Sequence, residues 1–314
     1  MRLILGISLL TLGYQTALAQ LVTESFGSGA NAFTMEFVTI GNPNNAADTT
    51  GSPNPAGSVA YTYNLGKYEV SRDMITKANA AGSLGITLAD MTSYGDNGVN
   101  RPATGITWYE AATYVNWLNT STGGTAAYKF DGSGTFQLWS AGDAGYNANN
   151  MFRNSLAKYV IASSNEWYKG AYGKADGSWS NFPNGSDIAP TPVAGGTDAN
   201  TAVYNEQHPA DITNAGGLSS YETMGQGGNA WEWNETAFDG INNTAGENRE
   251  LRGGSWLNSG YVYGSVGLGA SVRFDDFPTD EYSFFGFRVA SVPEPSTGLL
   301  VLLGLSGLLL KRLK

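Results

Sequence analysis

The sequence contains no cysteine and a single histidine, His208. Without cysteine the chain can form neither a disulfide nor a thiolate metal site, and it has no cysteine nucleophile. A single imidazole likewise excludes sites that need two or three, such as the two-histidine iron centre of oxygenases. Enzyme classes that depend on these ligands are therefore excluded for this chain.

Positive charge is also scarce. Charged residues make up 14% of the sequence, and leaving out the four basic residues at the two ends leaves 13 basic against 27 acidic residues. A nucleic-acid partner is not expected, because phosphate binding needs a basic surface. Calcium, or a neutral polar ligand such as a sugar, suits this composition better.

Glycine and apolar residues are abundant. The 314 residues include 42 glycines, with 41% hydrophobic and 12% aromatic content. This composition is typical of a loop-rich globular protein with a full core rather than of a helical bundle. Because no internal repeat or clear linker divides the chain, we predict one domain over residues 23–291.

The N-terminal residues 1–20 have the pattern of a secretory signal peptide. Arg2 supplies the charge, residues 3–12 form the apolar run, and Ala17-Leu18-Ala19 gives a small-residue cleavage site before Gln20. This pattern predicts export. A buried N-terminal helix is the alternative.

The C-terminal residues 292–314 have a second targeting pattern. The sequence Pro293-Glu294-Pro295 precedes an apolar run over residues 298–310 and a basic tail over 311–314. The run is shorter than a comfortable membrane span, and the basic tail fits a cytoplasmic end. The pattern resembles the PEP-CTERM sorting signal of Gram-negative bacteria that make exopolysaccharide. This resemblance implies processing by an exosortase, transient contact with the inner membrane, and a final location in the cell envelope, at the surface or in the extracellular matrix. A plain membrane anchor is the alternative.

Two strands and a first helix are predicted in the N-terminal part of the domain. Residues 33–40 and 61–70 have strand-like composition. Ser71 then stands where an N-cap is favoured, which predicts a helix to about Ala81.

Two further helices are predicted from capping boxes, and one long segment gives no periodic signal. Thr107 with Glu110 and Ser163 with Glu166 have the Ser/Thr-x-x-Glu spacing of a capping box. In this motif the side chain of each residue accepts a hydrogen bond from the backbone amide of the other. The helix after Thr107 should end near Asn119, and its aromatic residues are predicted to be core. Residues 173–228 are mostly Gly, Asn, Ser, Asp and Pro, so they either wrap around bound ions or form short strands.

Three glycine- and tryptophan-rich segments follow in a recognisable order. They read GGNAWEW at 227–233, LRGGSW at 251–256 and FGFRVA at 285–290. Their order and spacing resemble the formylglycine-generating enzyme (sulfatase-modifying factor) superfamily, whose segments read GNVWEW, RGGSW and GFR. Residues 106–119 are similar to the family's VSWYDAARYANWLN helix. The resemblance implies a loop-rich α+β fold, an elaborated C-type-lectin-like architecture.

The resemblance also implies structural calcium. In the family, the segment matching GNAWEW binds calcium through backbone carbonyls and a glutamate, and a second site uses an upstream asparagine. Carried over, the metal ligands are Gly228, Ala230 and Glu232, with Asn200 at the second site. Calcium is a chemically reasonable ion for such oxygen ligands. The alternative is that Glu232 forms a buried ion pair with Arg252 or Arg288.

Catalytic residues of the family are missing. Its enzymes bind copper through two cysteines that follow the RGGS segment, because soft sulfur ligands select Cu(I). The matching positions here are close to Asn258 and Tyr263, so no copper and no catalytic residue are predicted. Asp275 and Asp276 could do acid–base work, but before Phe277-Pro278 they are expected to be solvated loop residues.

The remaining prediction is a binding function. Aromatic rings that stack on sugar faces, beside polar side chains, would suit a polysaccharide. The candidate ligand-binding residues near the former catalytic positions are Trp256, Asn258, Tyr261, Tyr263, Arg273 and Asp275, with a core position as the alternative for Trp256. We therefore predict an exported, surface-sorted, calcium-stabilised binding or structural module of the exopolysaccharide matrix. The alternatives are an oxidoreductase of the formylglycine-generating class with an unrecognised ligand set, and a protein-binding adhesion or recognition module.

Overall fold

The computed structural model describes residues 20–259 and 263–293. The predicted signal peptide up to residue 19, Tyr261, and the sorting segment after Pro293 lie outside the described residues. Over the ranges described, the helices are too short or too polar to cross a membrane.

The described residues form three α-helices, three 3-10 turns and thirteen short strands. The helices are α1 Arg72–Gly82, α2 Trp108–Ser121 and α3 Ser164–Tyr172, and the 3-10 turns are Gly29–Asn31, Thr92–Tyr94 and Gly264–Leu268. The strands are β1 Leu21–Phe26, β2 Phe33–Ile40, β3 Tyr63–Gly66, β4 Lys129–Phe130, β5 Phe136–Gln137, β6 Tyr159–Ile161, β7 Thr191–Pro192, β8 Thr201–Ala202, β9 Trp231–Ala237, β10 Arg249–Arg252, β11 Phe274–Asp276, β12 Phe285–Phe287 and β13 Val289–Ser291. The fold is α+β with little regular secondary structure, as predicted.

All three predicted helices are confirmed, and each begins at the predicted cap. The Ser71 hydroxyl accepts a hydrogen bond from the Met74 amide at the start of α1. Thr107 and Ser163 form complete capping boxes at α2 and α3 with the glutamates three residues on. Capping satisfies amide groups that a helix leaves unpaired at its first turn, which is why these starts are readable from sequence.

The strand predictions are confirmed only in part. Strand β2 has the predicted bounds, but the predicted strand over residues 61–70 is wrong in length, because β3 ends at Gly66. After Gly66 the backbone forms hydrogen bonds with other segments instead of continuing the strand. The Val70 amide donates to the Phe287 carbonyl, and the Lys67 carbonyl accepts from the Met224 amide. Strand β1 was not predicted, and it pairs with β2 along its whole length.

A five-stranded sheet joins the two ends of the described domain. Its strand order is β1-β2-β3-β13-β6, with every neighbouring pair antiparallel. The C-terminal strand β13 therefore lies between strands from the first half of the chain. Helix α2 packs against β6 beside this sheet.

A four-stranded sheet, in the order β11-β10-β9-β12, positions the candidate site. Because side chains alternate along a strand, its two faces differ in chemistry. The strand register places large apolar side chains on one face, namely Trp231, Trp233, Leu251, Phe274, Phe285 and Phe287. The other face has the polar set Glu232, Asn234, Glu250, Arg252 and Asp275. We call these the aromatic face and the charged face.

Residues 173–228 form short strands, one of the two interpretations left open for them. Strands β7 and β8 pair in parallel, and isolated bridges such as Val203 with Gly228 extend the contacts. Gly228 shows why this segment is rich in glycine: its φ is +91°, and a Cβ there would lie 2.2 Å from the Val203 carbonyl oxygen. A residue with a side chain would clash at this close backbone approach.

Three tryptophans anchor the core, and the core interpretation of the helix aromatics is confirmed at Trp108. Trp108, Trp167 and Trp233 are fully buried in the main hydrophobic cluster. Each indole N–H has a partner: Trp108 donates to the Asn234 carbonyl, Trp167 to the Glu232 carboxylate and Trp233 to the Ile106 carbonyl. Buried tryptophans usually need such a partner.

Candidate functional site

Glu232, the predicted calcium ligand, lies on the charged face in a buried ion pair with Arg288. Arg288 Nη2 is 2.6 Å from Glu232 Oε1, and Arg288 Nε is 2.7 Å from Oε2. Trp167 Nε1 donates to Oε2 at 2.6 Å. This is the geometry of a bidentate, charge-assisted pair.

A second buried carboxyl group, that of Glu69, lies near this pair. It accepts hydrogen bonds from Asn229 Nδ2 at 2.5 Å and from the Ala230 amide at 3.0 Å. Burial raises the pKa of Glu69 well above its usual value, and the neighbouring Glu232 carboxylate raises it further, while Arg288 opposes both effects. Arg288 therefore balances the charge of a small buried acidic cluster.

With Glu232 paired to Arg288, its carboxylate cannot serve as the calcium ligand that the resemblance implies. Three donors already occupy the Glu232 carboxylate, and a dication there would face the Arg288 guanidinium. Asn200 is exposed, and its Oδ1 lies 3.4 Å from Asn184 Nδ2. In the part of the chain that the structure describes, no group of three or more His, Cys, Asp or Glu side chains could hold a metal ion. A calcium site built on the Gly228 and Ala230 carbonyls or on Asn200 stays a prediction.

Metal removal distinguishes the ion pair from the calcium site. If Arg288 alone balances Glu232 and no calcium binds at the carbonyls or at Asn200, a chelator should leave the melting temperature of the purified chain unchanged. A ligand that binds only the folded state would instead raise that temperature by mass action. Bound calcium in elemental analysis, together with a lower melting temperature after chelation, would support the calcium site and contradict this expectation.

A largely apolar pocket opens at the end of the aromatic face. Its volume is about 260 Å³. Two groups of rings line it. The first wall is Trp231, Tyr263 and Phe274, with ring centroids 5.1–5.5 Å from the Phe274 centroid. The second wall is Tyr282, Phe284 and Phe285, whose centroids are 5.0–5.4 Å apart. Ser255, Leu257, Asn258, Asp275 and Asp276 complete the lining, and we call the whole the aromatic pocket.

Asn258 is a buried polar residue of this lining. Its Oδ1 accepts from the Ser255 amide at 3.1 Å. Since a backbone amide can only donate, this bond fixes the orientation of the side chain. Asn258 is 3% exposed, and its Nδ2 has no hydrogen-bond partner among the described residues. A buried amide without a partner costs free energy, and this nitrogen lies against Gly254 and Gly267, where it has no exposed surface.

The expectation that Asp275 and Asp276 are solvated loop residues is wrong. Both belong to strand β11, where Asp275 pairs with Glu250 and Asp276 with Arg249, and both are part-buried. Asp275 Oδ2 accepts from Asn248 Nδ2 at 2.7 Å. By the strand register Asp275 belongs to the charged face and Asp276 to the aromatic face, and both residues contribute to the lining of the aromatic pocket.

The predicted ligand-binding residues separate into two groups. Asn258, Tyr263 and Asp275 line the aromatic pocket together. Trp256 is only 1% exposed and packs on Tyr94 at 5.1 Å, so it occupies the core position given as its alternative. Arg273 is directed away: its Nη1 donates to the Phe238 carbonyl and pairs with Glu250 on the charged face.

Several pocket residues were not predicted as ligand-binding. The missed rings are Trp231, Phe274, Tyr282, Phe284 and Phe285, and the missed carboxylate is Asp276. A signal was available in the sequence, since Tyr282 and Phe284 form an aromatic run with Phe285, the first residue of the FGFR segment. That run could not be assigned to a pocket because the first wall comes from three separate segments, which contain Trp231, Tyr263 and Phe274.

The sheet order, the capped helices and the motif tryptophans together define a loop-rich α+β domain of the formylglycine-generating-enzyme class. A family model described as the sulfatase-modifying factor enzyme 1-like domain matches residues 30–292. The chain therefore belongs to this family. A comparison with curated proteins gave no match.

Solved structures support the same fold at low sequence identity. Treponema denticola variable protein 1 is similar with 19% identity and a TM-score of 0.57, over 87% of this chain and 99% of that chain. CarF is similar with 16% identity and a TM-score of 0.57, over 82% and 98%. PvdO from Pseudomonas aeruginosa is similar with 15% identity and a TM-score of 0.52, over 86% and 98%. At these identities the likeness establishes the fold alone.

Proposed function

We propose that this chain is an exported binding module that holds a sugar unit of a surface polysaccharide in the aromatic pocket. The observation that carries the proposal is the pocket itself, with two aromatic walls and hydrogen-bonding groups between them. A sugar ring has apolar C–H faces and polar edges. Rings of Trp, Tyr and Phe stack on such faces, while a few polar groups fix the orientation.

The size and exposure of the pocket support a small, partly accessible ligand. Pockets of about 300–1,000 Å³ enclose drug-sized molecules, so about 260 Å³ suits one sugar ring of a longer chain. Tyr263, Phe274 and Tyr282 remain 51%, 38% and 46% exposed. Large exposed rings that cluster in one place are typical of a binding surface.

The composition favours binding over the redox chemistry known from the family. The positions that match the copper-binding cysteines of the family lie close to Asn258 and Tyr263 in this chain. Both of these residues line the aromatic pocket. Amide and phenol groups do not replace thiolates as Cu(I) ligands. The same place in the fold is thus proposed to hold a ligand instead of a metal.

The cellular location completes the proposal. The N-terminal pattern over residues 1–20 supports export, and the C-terminal pattern that begins at Pro293 supports sorting by an exosortase. A protein delivered in this way would meet polysaccharide in the cell envelope or the extracellular matrix.

Loss of one ring of the first wall is expected to weaken sugar binding. A glycan array identifies the oligosaccharide, and titration calorimetry then compares the wild type with Phe274→Ala. An aromatic contact contributes about 1 kcal/mol beyond the area it buries, so we expect binding about tenfold weaker.

The matched control for this experiment is Phe277→Ala, which removes a ring that is 58% exposed and does not line the pocket. The control should bind as tightly as the wild type. Equal weakening in both variants, or no binding to any glycan on the array, would contradict the proposal. Capture of a surface protein through the same pocket would favour the adhesion alternative.

A further inference from the structure

We propose that a small pocket at the C-terminal end of helix α3 binds a single-atom anion such as chloride. Its lining comes from the loop before β3, from α3 with the turn that follows it, and from Tyr221. We call it the lysine pocket. It shares no lining residue with the aromatic pocket, so this inference goes beyond the proposed function and does not rest on it.

Two lysines without a carboxylate partner meet at this pocket. The part of the chain that the structure describes contains six lysines. Four of them form ion pairs with Asp or Glu side chains, namely Lys67, Lys77, Lys129 and Lys158. Lys169 and Lys174 form no such pair among the described residues, and both line the lysine pocket. The pocket therefore concentrates positive charge that the described part of the chain leaves without a partner.

Lys169 is the buried member of this pair, with 1% of its surface exposed. An ammonium group has three N–H donors. Among the described residues Lys169 Nζ uses one of them, in a hydrogen bond to the Asn42 carbonyl at 2.8 Å. Burial lowers the pKa of Lys169 to about 8, and no described carboxylate opposes this effect. A buried charge without a partner costs free energy, which a bound anion would offset.

Neutral hydrogen-bond donors stand beside the two ammonium groups. The side-chain amide of Asn42 has no partner among the described residues, and its Nδ2 faces Gly177, where a Cβ would lie 3.5 Å from it. Burial raises the pKa of Tyr221, so its phenol stays protonated and able to donate. Asn45, the second asparagine of the lining, already uses both amide atoms in hydrogen bonds to the loop backbone. The groups left over at the pocket are thus suited to an anion.

One carboxylate, that of Asp176, lies in the turn after α3 and opposes an anion. Its Oδ1 accepts from the Ser178 hydroxyl at 2.6 Å and from the Ser178 amide at 2.9 Å. These hydrogen bonds lower the pKa of Asp176, and the nearby Lys174 lowers it further, although the two side chains form no ion pair. Asp176 is exposed and does not line the pocket. Solvent screens an exposed charge more than a buried one, so Lys169 dominates the potential inside the pocket.

The size of the pocket decides the class of anion. Its volume is about 10 Å³, which is about the space that one water molecule needs. A chloride ion is little larger than water, whereas sulfate, phosphate and sugar carboxylates have several heavy atoms and do not fit. Water has the right size but carries no charge to balance Lys169. A single-atom anion satisfies both requirements.

Thermal melting in mixtures of sodium chloride and sodium gluconate tests the inference. The full exported chain is measured at pH 7, and the ionic strength is held constant so that screening does not change. An ion that binds only the folded state raises the melting temperature by mass action. We expect a rise of about 3–6 °C when chloride reaches about ten times its dissociation constant. A melting temperature that does not depend on chloride would overturn the inference.

A charge-matched pair of variants locates the effect. Lys169→Met removes the buried ammonium group but keeps a long side chain, and it should abolish the rise with chloride. Lys77→Met removes the same charge from a partly exposed ion pair with Asp73, outside the pocket, and should keep the rise. The comparison concerns the response to chloride, so a variant with a different melting temperature in gluconate is still informative. If both variants keep the rise, or both lose it, the ion does not bind at Lys169 and the inference is wrong.

Bromide, which scatters anomalously and replaces chloride in its sites, gives a direct test on the wild type. Crystals of the full exported chain grown in sodium bromide should show an anomalous peak beside Lys169 Nζ. This measurement decides the question even if Lys169→Met does not fold. A water molecule in the pocket, with bromide at exposed surface positions only, would overturn the inference. Neither experiment involves a glycan, so the proposed function stands or fails independently of the result.

Discussion

Replacement of Arg288 by methionine is expected to lower the free energy of unfolding by about 3–5 kcal/mol, the usual effect of breaking a buried ion pair on one side. Arg288 and Glu232 are both fully buried. Without the guanidinium, Glu232 keeps one donor, the Trp167 indole, and lies uncompensated near Glu69. The carbonyls of Gly66 and Met224, which accept from Arg288 at 2.8 and 2.9 Å, lose their donor as well.

Denaturant unfolding of single and double variants measures this effect. Glu232→Gln combined with Arg288→Met removes both charges, so the double variant should be more stable than Arg288→Met alone, because an unpaired buried charge costs more than a neutral pair. If the double variant were instead the less stable of the two, the charge of Glu232 would not be the source of the destabilisation. The geometry of the pair would then need another explanation.

Replacement of Arg153 by methionine is expected to have a similarly large effect, again about 3–5 kcal/mol. Arg153 bridges two buried carboxylates: its Nη2 lies 2.9 Å from Glu166 and its Nε lies 2.7 Å from Glu235. Tyr61 and Tyr128 donate to the same carboxylates at 2.5 and 2.8 Å. Removing the arginine leaves two buried negative charges with neutral donors alone, which besides the hydroxyls are Asn150 Nδ2 at Glu235 and the Ser163 amide at Glu166.

The pH dependence of the free energy of unfolding is a second test of the Arg153 ion pairs. Burial would raise the pKa of Glu166, but Arg153 and the hydrogen bonds around it lower that pKa to about 2. A carboxyl whose pKa is lower in the folded state contributes stability above its ordinary pKa of 4.5 and loses it as the pH falls towards 2. The shift corresponds to roughly 3 kcal/mol. We expect the wild type to lose this contribution over that range, and Arg153→Met to lack it.

Lys158→Met is the matched control for Arg153→Met. It breaks the ion pair with Glu24, whose two side chains are 37% and 30% exposed. Such partly exposed pairs contribute about 0–1 kcal/mol, so the control should unfold nearly like the wild type. Equal destabilisation in the two variants would show that burial does not set the strength of these pairs.

The helices of this fold were predictable because their signals are local. The caps at Ser71, Thr107 and Ser163 need only residues within one turn, and their backbone bonds form within the segment. Strands depend on partners that are distant in the chain. Strand β1 was missed, and β3 was predicted too long, because β13 and β2 determine where their pairing begins and ends.

The candidate site was predictable where a motif marked it. Asn258 and Tyr263, two of the candidate residues that follow the RGGSW segment, line the aromatic pocket. Trp256 belongs to the same segment but packs on Tyr94 in the core, a contact with a distant segment that the motif does not specify. The second wall comes from residues 282–285, and only the packing of distant segments places it opposite the first wall.

The sequence by itself determined the family, the starts of the helices and the absence of thiolate chemistry, because composition and local capping do not depend on the path of the chain. Only the tertiary structure decided the partner of Glu232 and the lining of the aromatic pocket. Arg288 is 56 residues from Glu232, and either Arg288 or Arg252 fitted the sequence. Charge pairing and ring stacking act over a few ångströms, so they are settled by which strands lie side by side and which face of each strand is turned inward.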